Sequence, residues 1–454
     1  MASSHCSIAL LCLLVFCFIS ANSVSSSSHY SDEQESVYQV LEAINSGIDW
    51  RSLFPDDFCD SAPHGIVCEY FFDDNGTIST PHITELNFGY VSDFSPNPPC
   101  SFNSTLSPRL SSFTYLRKLF FYQCFTATMV SFPGFLSTLG STLEELVFID
   151  NPSLVGTLSG NLGNLTALRR FILSGSSVSG EIPDEIGGLL ELEEVTISRN
   201  PFHGVVPQSL GNLKKLKVLD LSYNGLKGNL PDSIGKMTEL VKLDLGSNRF
   251  DGGIPESLVG LQELEFLDLS YNHFGNFGIP PFLAEMPRLR EVYLSGNPLG
   301  GQIPEIWEKL GGILRLGLSG LGLDGKIPAS MGVSLRNICF LGLDHNNLEG
   351  TVPEEFGFLE SVLEMNLENN RLTGRLPFSA KFSARIGKKL KLAGNPNLCI
   401  DGEAQENGSL GYLKFCNKPS KPDAVLFSSS ESSSPVQSSL LLIIFLGLFL
   451  TFCL

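Results

Sequence analysis

Basic residues are scarce in this sequence. Its 454 residues include 30 Lys and Arg against 48 Asp and Glu, which gives a formal net charge of −18 at pH 7 and a pI near 4.8. Proteins that bind nucleic acid or anionic lipid headgroups present basic surfaces, because these ligands are negatively charged. The composition therefore argues against both kinds of partner.

Enzyme motifs are absent as well. The seven histidines never approach a metal-ligand spacing, and neither a His-Glu-x-x-His motif nor the kinase set Val-Ala-Ile-Lys, His-Arg-Asp and Asp-Phe-Gly occurs. Residues 320–325 match the dinucleotide pattern Gly-x-Gly-x-x-Gly, but they lie in phase with a repeat and open no long helix after a core strand. We expect no catalysis, cofactor or metal.

The N-terminus has the layout of a secretory signal peptide over residues 1–23. A polar start is followed by the apolar segment 8–19 and by the small residues Ala21 and Ser23. The apolar segment is shorter than the roughly 20 residues that a membrane-spanning helix requires. The sequence therefore predicts secretion.

The C-terminus predicts a lipid anchor. Small residues at Ser428, Ser429 and Ser430 precede a polar spacer and the apolar tail 440–454. This order is typical of a glycosylphosphatidylinositol (GPI) signal, in which one serine receives the lipid and the tail is removed. The expected location is the outer face of the plasma membrane; the alternative is a single C-terminal membrane helix.

A repeat of 24 or 25 residues occupies the middle of the chain. One unit contains Leu216, Leu219, Leu221, Asn224 and Gly228, and the pattern returns two further times directly afterwards. Well-formed units begin at 143, 168, 192, 216, 240, 264, 289, 313, 338 and 362, with an irregular unit at 116, a partial one near Ile83 and a truncated one ending at Asn395. This is a leucine-rich repeat.

Each position of the repeat has a physical role. Counted from the first leucine as position 0, leucines at +3 and +5 have strand spacing and point inward, while asparagine at +8 is expected to bond the turning backbone of its own and the neighbouring coil. Ser176 is a plausible shorter substitute at this position, but Leu321 is not. A Gly-x-aliphatic-Pro corner, as in residues 180–183, marks the plant type of the repeat.

The predicted fold is an α/β solenoid, a plant-type right-handed superhelix with short parallel strands on its concave face and disulfide-closed caps. We expect an N-terminal helical cap at 24–82, repeats at 83–398, a C-terminal cap at 399–427 and a spacer with the GPI signal at 428–454. Residues 31–34 read as a capping box that opens a helix. The expected disulfides close the caps at Cys59–Cys68 and Cys399–Cys416. Cys100 and Cys124 flank the irregular first repeat, and their simplest pairing is with each other, but the sequence leaves this pairing open. Glycosylation sequons stand at Asn75, Asn103, Asn164 and Asn407.

Several segments outside the repeat consensus resemble one family, the plant leucine-rich-repeat receptor-like proteins, in the group that contains Too Many Mouths and the Piriformospora-insensitive proteins. These segments are residues 32–38, 64–68, 119–124 and 389–399. The resemblance implies a receptor without a kinase, which pairs with leucine-rich-repeat receptor kinases in the perception of secreted peptides. Receptor kinases of this fold use an Arg-x-Arg pair on the strands for a peptide's terminal carboxylate, and no such pair lies on the expected strands here.

The outward-facing strand positions are the predicted contact face. Apolar residues dominate it first, acidic residues follow in the middle and small residues come later. The best candidate contact is an apolar cluster with one base, formed by Lys118, Phe120, Tyr122, Val147 and Ile149. The alternative is that Phe120 and Tyr122 lie beneath the irregular loop 125–133. Basic residues further along are expected to meet acidic groups of a peptide. The predicted face comprises Lys118, Phe120, Tyr122, Val147, Ile149, Arg170, Arg199, Lys242, Tyr293 and Arg315.

Two features of this face have two interpretations each. Asp220, Asp244 and Asp268 form either a ligand row, with neighbouring tyrosines, or an ordinary solvated stretch of the plant consensus. His345 is either a pH-sensitive contact or a solvated residue.

Two functions compete. The first is a co-receptor or modulator of receptor kinases, in development or defence. The alternative is an extracellular inhibitor of microbial wall-degrading enzymes that resembles polygalacturonase-inhibiting proteins, which need no membrane anchor.

Overall fold

A computed structural model describes residues 32–61, 65–72, 78–89, 97–158, 160–400 and 413–416. Several predicted features lie outside these residues: the signal peptide, the sequons at Asn75 and Asn407, and the C-terminal tail with Ser428, Ser429 and Ser430. None of the helices in the described part combines the length and the apolar composition needed to span a membrane.

The described part is built around one long sheet in which each repeat contributes one strand. Its fourteen strands are parallel except for the first, which pairs antiparallel with the second. In spatial order they are β1 (Ile66–Phe72), β2 (Ile78–Phe88), β3 (Lys118–Tyr122), β5 (Glu145–Ile149), β7 (Arg170–Ser174), β9 (Glu194–Ser198), β11 (Val218–Asp220), β13 (Lys242–Asp244), β15 (Phe266–Asp268), β16 (Glu291–Tyr293), β17 (Arg315–Gly317), β18 (Phe340–Gly342), β20 (Glu364–Asn366) and β22 (Leu390–Lys391). The solenoid of short parallel strands is thereby confirmed.

Three smaller sheets are formed by short strands that come after the main-sheet strand in their repeats. The first contains β4 (Val130–Ser131), β6 (Leu154–Thr157) and β8 (Ser177–Ser179), and the second contains β10 (His203–Gly204), β12 (Gly225–Gly228) and β14 (Arg249–Phe250). The third contains β19 (Glu349–Gly350), β21 (Arg371–Arg375), β23 (Asn397–Ile400) and β24 (Lys414–Phe415).

Short helices carry each repeat back toward the next strand. The helices of the N-terminal cap are α1 (32–44), α2 (Trp50–Leu53) and α3 (Phe58–Ser61), and α4 (Ala329–Ser334) and α5 (Ala380–Ile386) belong to later repeats. Most repeats use one 3-10 turn instead: Pro108–Ser112, Gly134–Leu139, Gly160–Asn164, Asp184–Gly188, Gln208–Asn212, Asp232–Lys236, Glu256–Gly260, Pro281–Glu285, Trp307–Leu310, Glu354–Phe358 and Gly387–Lys389. The repeat prolines, such as Pro183, directly precede these turns, because a fixed φ and a missing N–H suit a helix start.

The core is a column of leucines with stacked aromatic rings at some positions. The leucines at +3 and +5, such as Leu219 and Leu221, are fully buried. In the first repeats phenylalanine replaces them: Phe121 lies between Phe88 and Phe148, with ring centroids 5.2 and 5.0 Å away. Within the described residues, the main sheet therefore has one face sealed by the core and one that faces outward.

A ladder of asparagines joins successive coils, as predicted. Asn248 donates through Nδ2 to the carbonyl oxygens of Leu221 in the preceding coil, at 2.8 Å, and of Leu245 in its own coil, at 3.2 Å. Its Oδ1 accepts the Leu226 N–H at 3.1 Å. Ser176 joins the ladder through a 2.5 Å bond to Asn200. Leu321 does not: it is fully buried in the core, and its N–H donates to Asn346.

The three expected disulfides are present. Cys59–Cys68, Cys100–Cys124 and Cys399–Cys416 have Cα–Cα distances of 5.5, 4.8 and 5.0 Å. Two residues of the predicted capping box fasten α1 to the rest of the cap. Glu33 accepts the Ile83 N–H and contacts His82, and Gln34 donates to the Asp56 carbonyl. These segments, which carry the family resemblance, thus have a structural role in the cap.

Candidate interaction face

The free face of the main sheet presents outward side chains in rows that run across the repeats. Because the strands are parallel and in register, Lys118 is a neighbour of Glu145, which in turn is a neighbour of Arg170. Adjacent strands lie about 4.8 Å apart, so side chains at one repeat position are in contact distance of the next. The rows, more than the individual strands, therefore decide what this face can bind.

The first row is a ladder of alternating charges, hereafter the charge ladder: Glu85, Lys118, Glu145, Arg170 and Glu194. Lys118 Nζ lies 3.6 Å from Glu85 and 3.9 Å from Glu145. Arg170 lies 3.5 Å from Glu145 and 3.0 Å from Glu194. Each base is therefore shared between two acids, and the ladder carries little excess charge.

The other predicted basic contacts are paired too. Arg199 lies 3.3 Å from Asp150 and Arg315 lies 4.0 Å from Glu291. Lys242 lies 2.9 Å from Asp220. An acidic peptide group would have to displace a neighbouring carboxylate at each of these residues. The predicted role of these bases as readers of acidic groups is therefore weakened, because they already neutralise the protein's own acids.

Next to the charge ladder lies the apolar strip, formed by Phe120, Tyr122, Val147, Ile149 and Ile172. Its exposure is lower than the sequence suggested, since Val147 and Ile172 are only 3% and 9% exposed. The remaining three side chains are half-buried. The strip is therefore a largely contiguous apolar surface on which three side chains are partly exposed.

The irregular loop 125–133 packs on the other side of the sheet. Phe125 is buried, with its ring 5.2 Å from that of Phe121, whose side chain points into the core. Val130 and Ser131 pair with β6 in the first of the smaller sheets. The alternative in which the loop covers Phe120 and Tyr122 is therefore not what the structure has.

The middle of the face is the central surface: Asp220, Lys242, Asp244, Phe266, Asp268 and Tyr293. The three aspartates are direct neighbours on β11, β13 and β15. Lys242 bridges two of them, at 2.9 Å from Asp220 and 3.3 Å from Asp244. Asp268 accepts bonds from the N–H and hydroxyl of Ser270.

Burial and mutual repulsion perturb these carboxylates. Burial, with Asp220 and Asp268 nearby, raises the pKa of Asp244 to about 6 despite the opposing effect of Lys242. Burial also raises the pKa of Asp268, against the two bonds from Ser270. Burial alone would lower the pKa of Lys242, but Asp220 and Asp244 outweigh it and raise that pKa. In the described ion pairs, the three carboxylates thus have the ammonium of Lys242 alone as their counter-charge.

Aromatic rings border the aspartates. The ring centroids of Phe266 and Tyr293 are 5.7 Å apart, and Lys242 lies 5.2 Å from the Phe266 centroid. The Tyr293 hydroxyl donates to Glu291 at 2.7 Å. At the corner after the strands, Tyr223 and Tyr271 are 63% and 65% exposed.

The sequence interpretation missed the backbone of this corner. The residue at +7 has φ between 50° and 57° in Gln123, Asp150, Arg199, Tyr223, Ser247, Tyr271, His345 and Asn369. Glycine stands at the same position in the other full repeats, at 175, 296 and 320. That recurrence was the available signal, since glycine adopts this left-handed conformation without steric cost. The corner turns Tyr223 and Tyr271 out toward solvent, at the rim of the face.

His345 takes part in a hydrogen-bonded chain. Its Nδ1 lies 2.8 Å from Asp344 and its Nε2 lies 2.9 Å from the Asn369 amide nitrogen. Ser319 donates to the other oxygen of Asp344 at 2.6 Å. The aspartate separates serine from histidine, so this histidine is not placed to take the serine proton. Among the described residues, no group of three or more His, Cys, Asp and Glu side chains is arranged to hold a metal ion.

A family model for the leucine-rich repeat region matches residues 98–384. The chain belongs to the leucine-rich-repeat family. Among curated proteins of Arabidopsis thaliana, this leucine-rich-repeat chain is similar to Protein TOO MANY MOUTHS, with 37% identity over 139 residues that make up 30% of this chain and 26% of that protein. It is also similar to Piriformospora indica-insensitive protein 2, with 36% identity over 145 residues, 31% of this chain and 32% of that protein.

Receptor like protein 29 of Arabidopsis thaliana is a third relative, with 33% identity over 156 residues, 34% of this chain and 31% of that protein. These matches confirm the predicted resemblance to plant leucine-rich-repeat receptor-like proteins. The matched segments span about a third or less of each relative's own length.

Two solved structures share the fold. The plant peptide hormone receptor RGFR1 in complex with RGF2 has a TM-score of 0.58 and 26% identity, over 67% of this chain and 52% of that one. The PEPR1–AtPEP1 structure has a TM-score of 0.60 and 25% identity, over 83% of this chain and 52% of that one. Both structures share the leucine-rich-repeat fold with this chain, and this chain spans about half the length of each.

The raised pKa of Asp244 predicts a pH-dependent stability. A carboxyl whose folded-state pKa exceeds its unfolded value stabilises the fold below the ordinary pKa of 3.8, and this contribution is lost as the pH rises through about 6. Asp244→Asn is therefore expected to raise the free energy of unfolding at pH 7 by about 1 kcal/mol, after allowance for solvent screening, and to give no gain at pH 4. Thermal melts at both pH values measure this.

The matched control for this prediction is Asp232→Asn, on an exposed 3-10 turn outside the main sheet. It is expected to change the melting temperature little at either pH. An equal gain from Asp232→Asn would mean that net charge, not the aspartate row, governs the effect.

Proposed function

We propose that the chain is a cell-surface receptor-like protein without a kinase, which binds a secreted peptide together with the ectodomain of a leucine-rich-repeat receptor kinase. The observation that carries this proposal is the uncovered face of the main sheet, with the apolar strip beside the central surface. Such a protein acts through differential contacts with its partner, since binding can shift an equilibrium only if it favours one state. The fold shared with the plant peptide hormone receptor RGFR1, solved in complex with RGF2, supports it.

The apolar strip is the proposed contact with the receptor kinase. Half-buried aromatic side chains such as Phe120 and Tyr122 gain contact area at little cost in conformational entropy, and they are typical anchors of protein interfaces. The neighbouring charge ladder is internally paired, so it would form a rim with little excess charge. The described sequons are exposed and lie away from this face: Asn164 is in a 3-10 turn and Asn103 is beside the end of α1. Glycans there would leave the strip open.

We further propose a GPI anchor at one of Ser428, Ser429 and Ser430, which would hold the protein on the outer face of the plasma membrane. Phospholipase C treatment of intact cells is expected to release the protein into the medium. Retention after treatment, with extraction only by detergent, would favour the single C-terminal membrane helix.

The partner is tested by immunoprecipitation of the tagged full-length protein from plant membranes, followed by mass spectrometry. Receptor kinases with leucine-rich-repeat ectodomains are expected among the enriched proteins. The double variant Phe120→Ala/Tyr122→Ala is expected to recover about tenfold less of them, because two anchors of roughly 1 kcal/mol or more are lost.

Phe358→Ala is the matched control, since Phe358 is 63% exposed on a 3-10 turn outside the strip. It should recover as much kinase as the wild type. Absence of any enriched receptor kinase, or equal recovery by the double variant, would overturn the proposal.

The alternative function, inhibition of microbial wall-degrading enzymes, predicts a different distribution. The protein would then occur free in apoplastic washes and would lower the activity of a fungal polygalacturonase in a direct assay. Inhibition by protein that lacks any membrane association would favour this alternative.

A further inference from the structure

The central surface is a part of the sheet face that nothing in the described chain covers. Four aromatic rings belong to it or border it: Phe266 and Tyr293 are half-buried, whereas Tyr223 and Tyr271 are 63% and 65% exposed. Exposed tyrosines adjoining an apolar or aromatic surface are enriched at protein interfaces. These rings, by themselves, indicate a contact but do not select a partner.

The charge around these rings selects the partner. Three carboxylates stand in register on β11, β13 and β15, and the ion pairs of the described residues bring one ammonium, that of Lys242, to them. The side chains of Asp220 and Asp244 are only 14% and 16% exposed. Partial removal from water strengthens their interaction with any further charge. The charge ladder differs in this respect, because there two bases stand among three acids, whereas here one base stands among three.

We propose that the central surface binds a basic segment of the secreted peptide, with Arg or Lys side chains placed against Asp220, Asp244 and Asp268 and stacked on Tyr223 or Tyr271. This inference rests on one part of the proposed function, the binding of a peptide by the chain. A guanidinium fits the surface well, since it forms bidentate bonds with carboxylates and stacks on aromatic rings. Burial is the main cause of the raised pKa values of Asp244 and Asp268, and Lys242 only partly opposes it.

The test measures charge preference directly. The purified full-length protein is titrated against two fluorescent twelve-residue probes of Gly and Ser, one with four Arg and one with Gln at the same positions. The Arg probe is expected to bind at least tenfold more tightly at low salt. In Asp220→Asn/Asp268→Asn this preference is expected to fall about tenfold, and in Tyr271→Ala about threefold.

Non-specific attraction by a protein of net charge −18 is controlled with Asp184→Asn/Asp232→Asn. These two aspartates are exposed on 3-10 turns, and their substitution changes the net charge equally. The control is expected to keep the wild-type preference for Arg. Equal binding of both probes, or an equal loss in the control, would overturn the inference.

The outcome separates this inference from the proposed function. If a receptor kinase is enriched but the protein shows no preference for the Arg probe, the inference of a basic segment is contradicted and the proposed function is not. The opposite outcome is a clear Arg preference that depends on Asp220 and Asp268, in a protein that recovers no receptor kinase. It would support the peptide site and contradict the proposed kinase partner.

Discussion

Phe148→Ala is expected to lower the free energy of unfolding by about 4 kcal/mol, within the usual range for removing a buried aromatic ring. Phe148 is fully buried, and its ring lies 5.0 Å from that of Phe121 and 5.8 Å from that of Phe132. The repeats on both sides hold the cavity open, because their backbones are fixed by the main sheet. Urea unfolding followed by circular dichroism measures the loss.

Phe148→Leu is the matched control, because leucine stands at the equivalent position of other repeats, as in Leu221 and Leu245. It is expected to cost about 1 kcal/mol, since most of the volume is kept. If leucine costs as much as alanine, the stacking of the rings, rather than the filling of space, stabilises the first repeats. The same strand carries Val147 and Ile149 on its outer face, so loosening here would also disturb the apolar strip.

Asn272→Ala is expected to cost about 3 kcal/mol, because it leaves several buried backbone groups without partners. Asn272 is 3% exposed. Its Nδ2 donates to the carbonyls of Leu245, Leu269 and Ser270 at 2.9, 3.1 and 3.2 Å, and its Oδ1 accepts the Phe250 N–H at 3.0 Å. The shift of the urea midpoint gives the size of the effect.

Asn366→Ala serves as the comparison, since Asn366 is half-buried on the outer face and its side chain accepts a bond from the Glu368 N–H. Its cost is expected to stay below about 1 kcal/mol. Similar losses from both substitutions would contradict the ladder's role. Leu321 shows that one natural repeat dispenses with asparagine, but there a buried leucine fills the space.

The predicted basic contact residues lie on the outer face, but they are paired with acids. The position of a residue in the repeat predicts the face on which it lies, but not whether its side chain is free to bind a partner. The repeat period located Lys118, Arg170 and Lys242 on the outer face, and they do lie there. Their pairing with acids depends on side-chain conformations across neighbouring strands, which one repeat read alone does not contain. The alternation of charge at successive repeats was visible in the sequence, but its meaning required the register of the sheet.

Of the disulfides, the sequence predicted the two in the caps, and only the structure decided that Cys100 pairs with Cys124. The sequence by itself also determined the repeat, the inward leucines and the asparagine ladder. Each of these follows from a local rule, since coils of nearly equal length must stack and must satisfy their own backbone. Only the tertiary structure decided that the predicted bases are paired, that Val147 is buried and that Asp244 has a raised pKa. Those properties depend on contacts between side chains of neighbouring repeats. The distances between these side chains decide whether a charged group is solvated, paired with an opposite charge or close to a like charge.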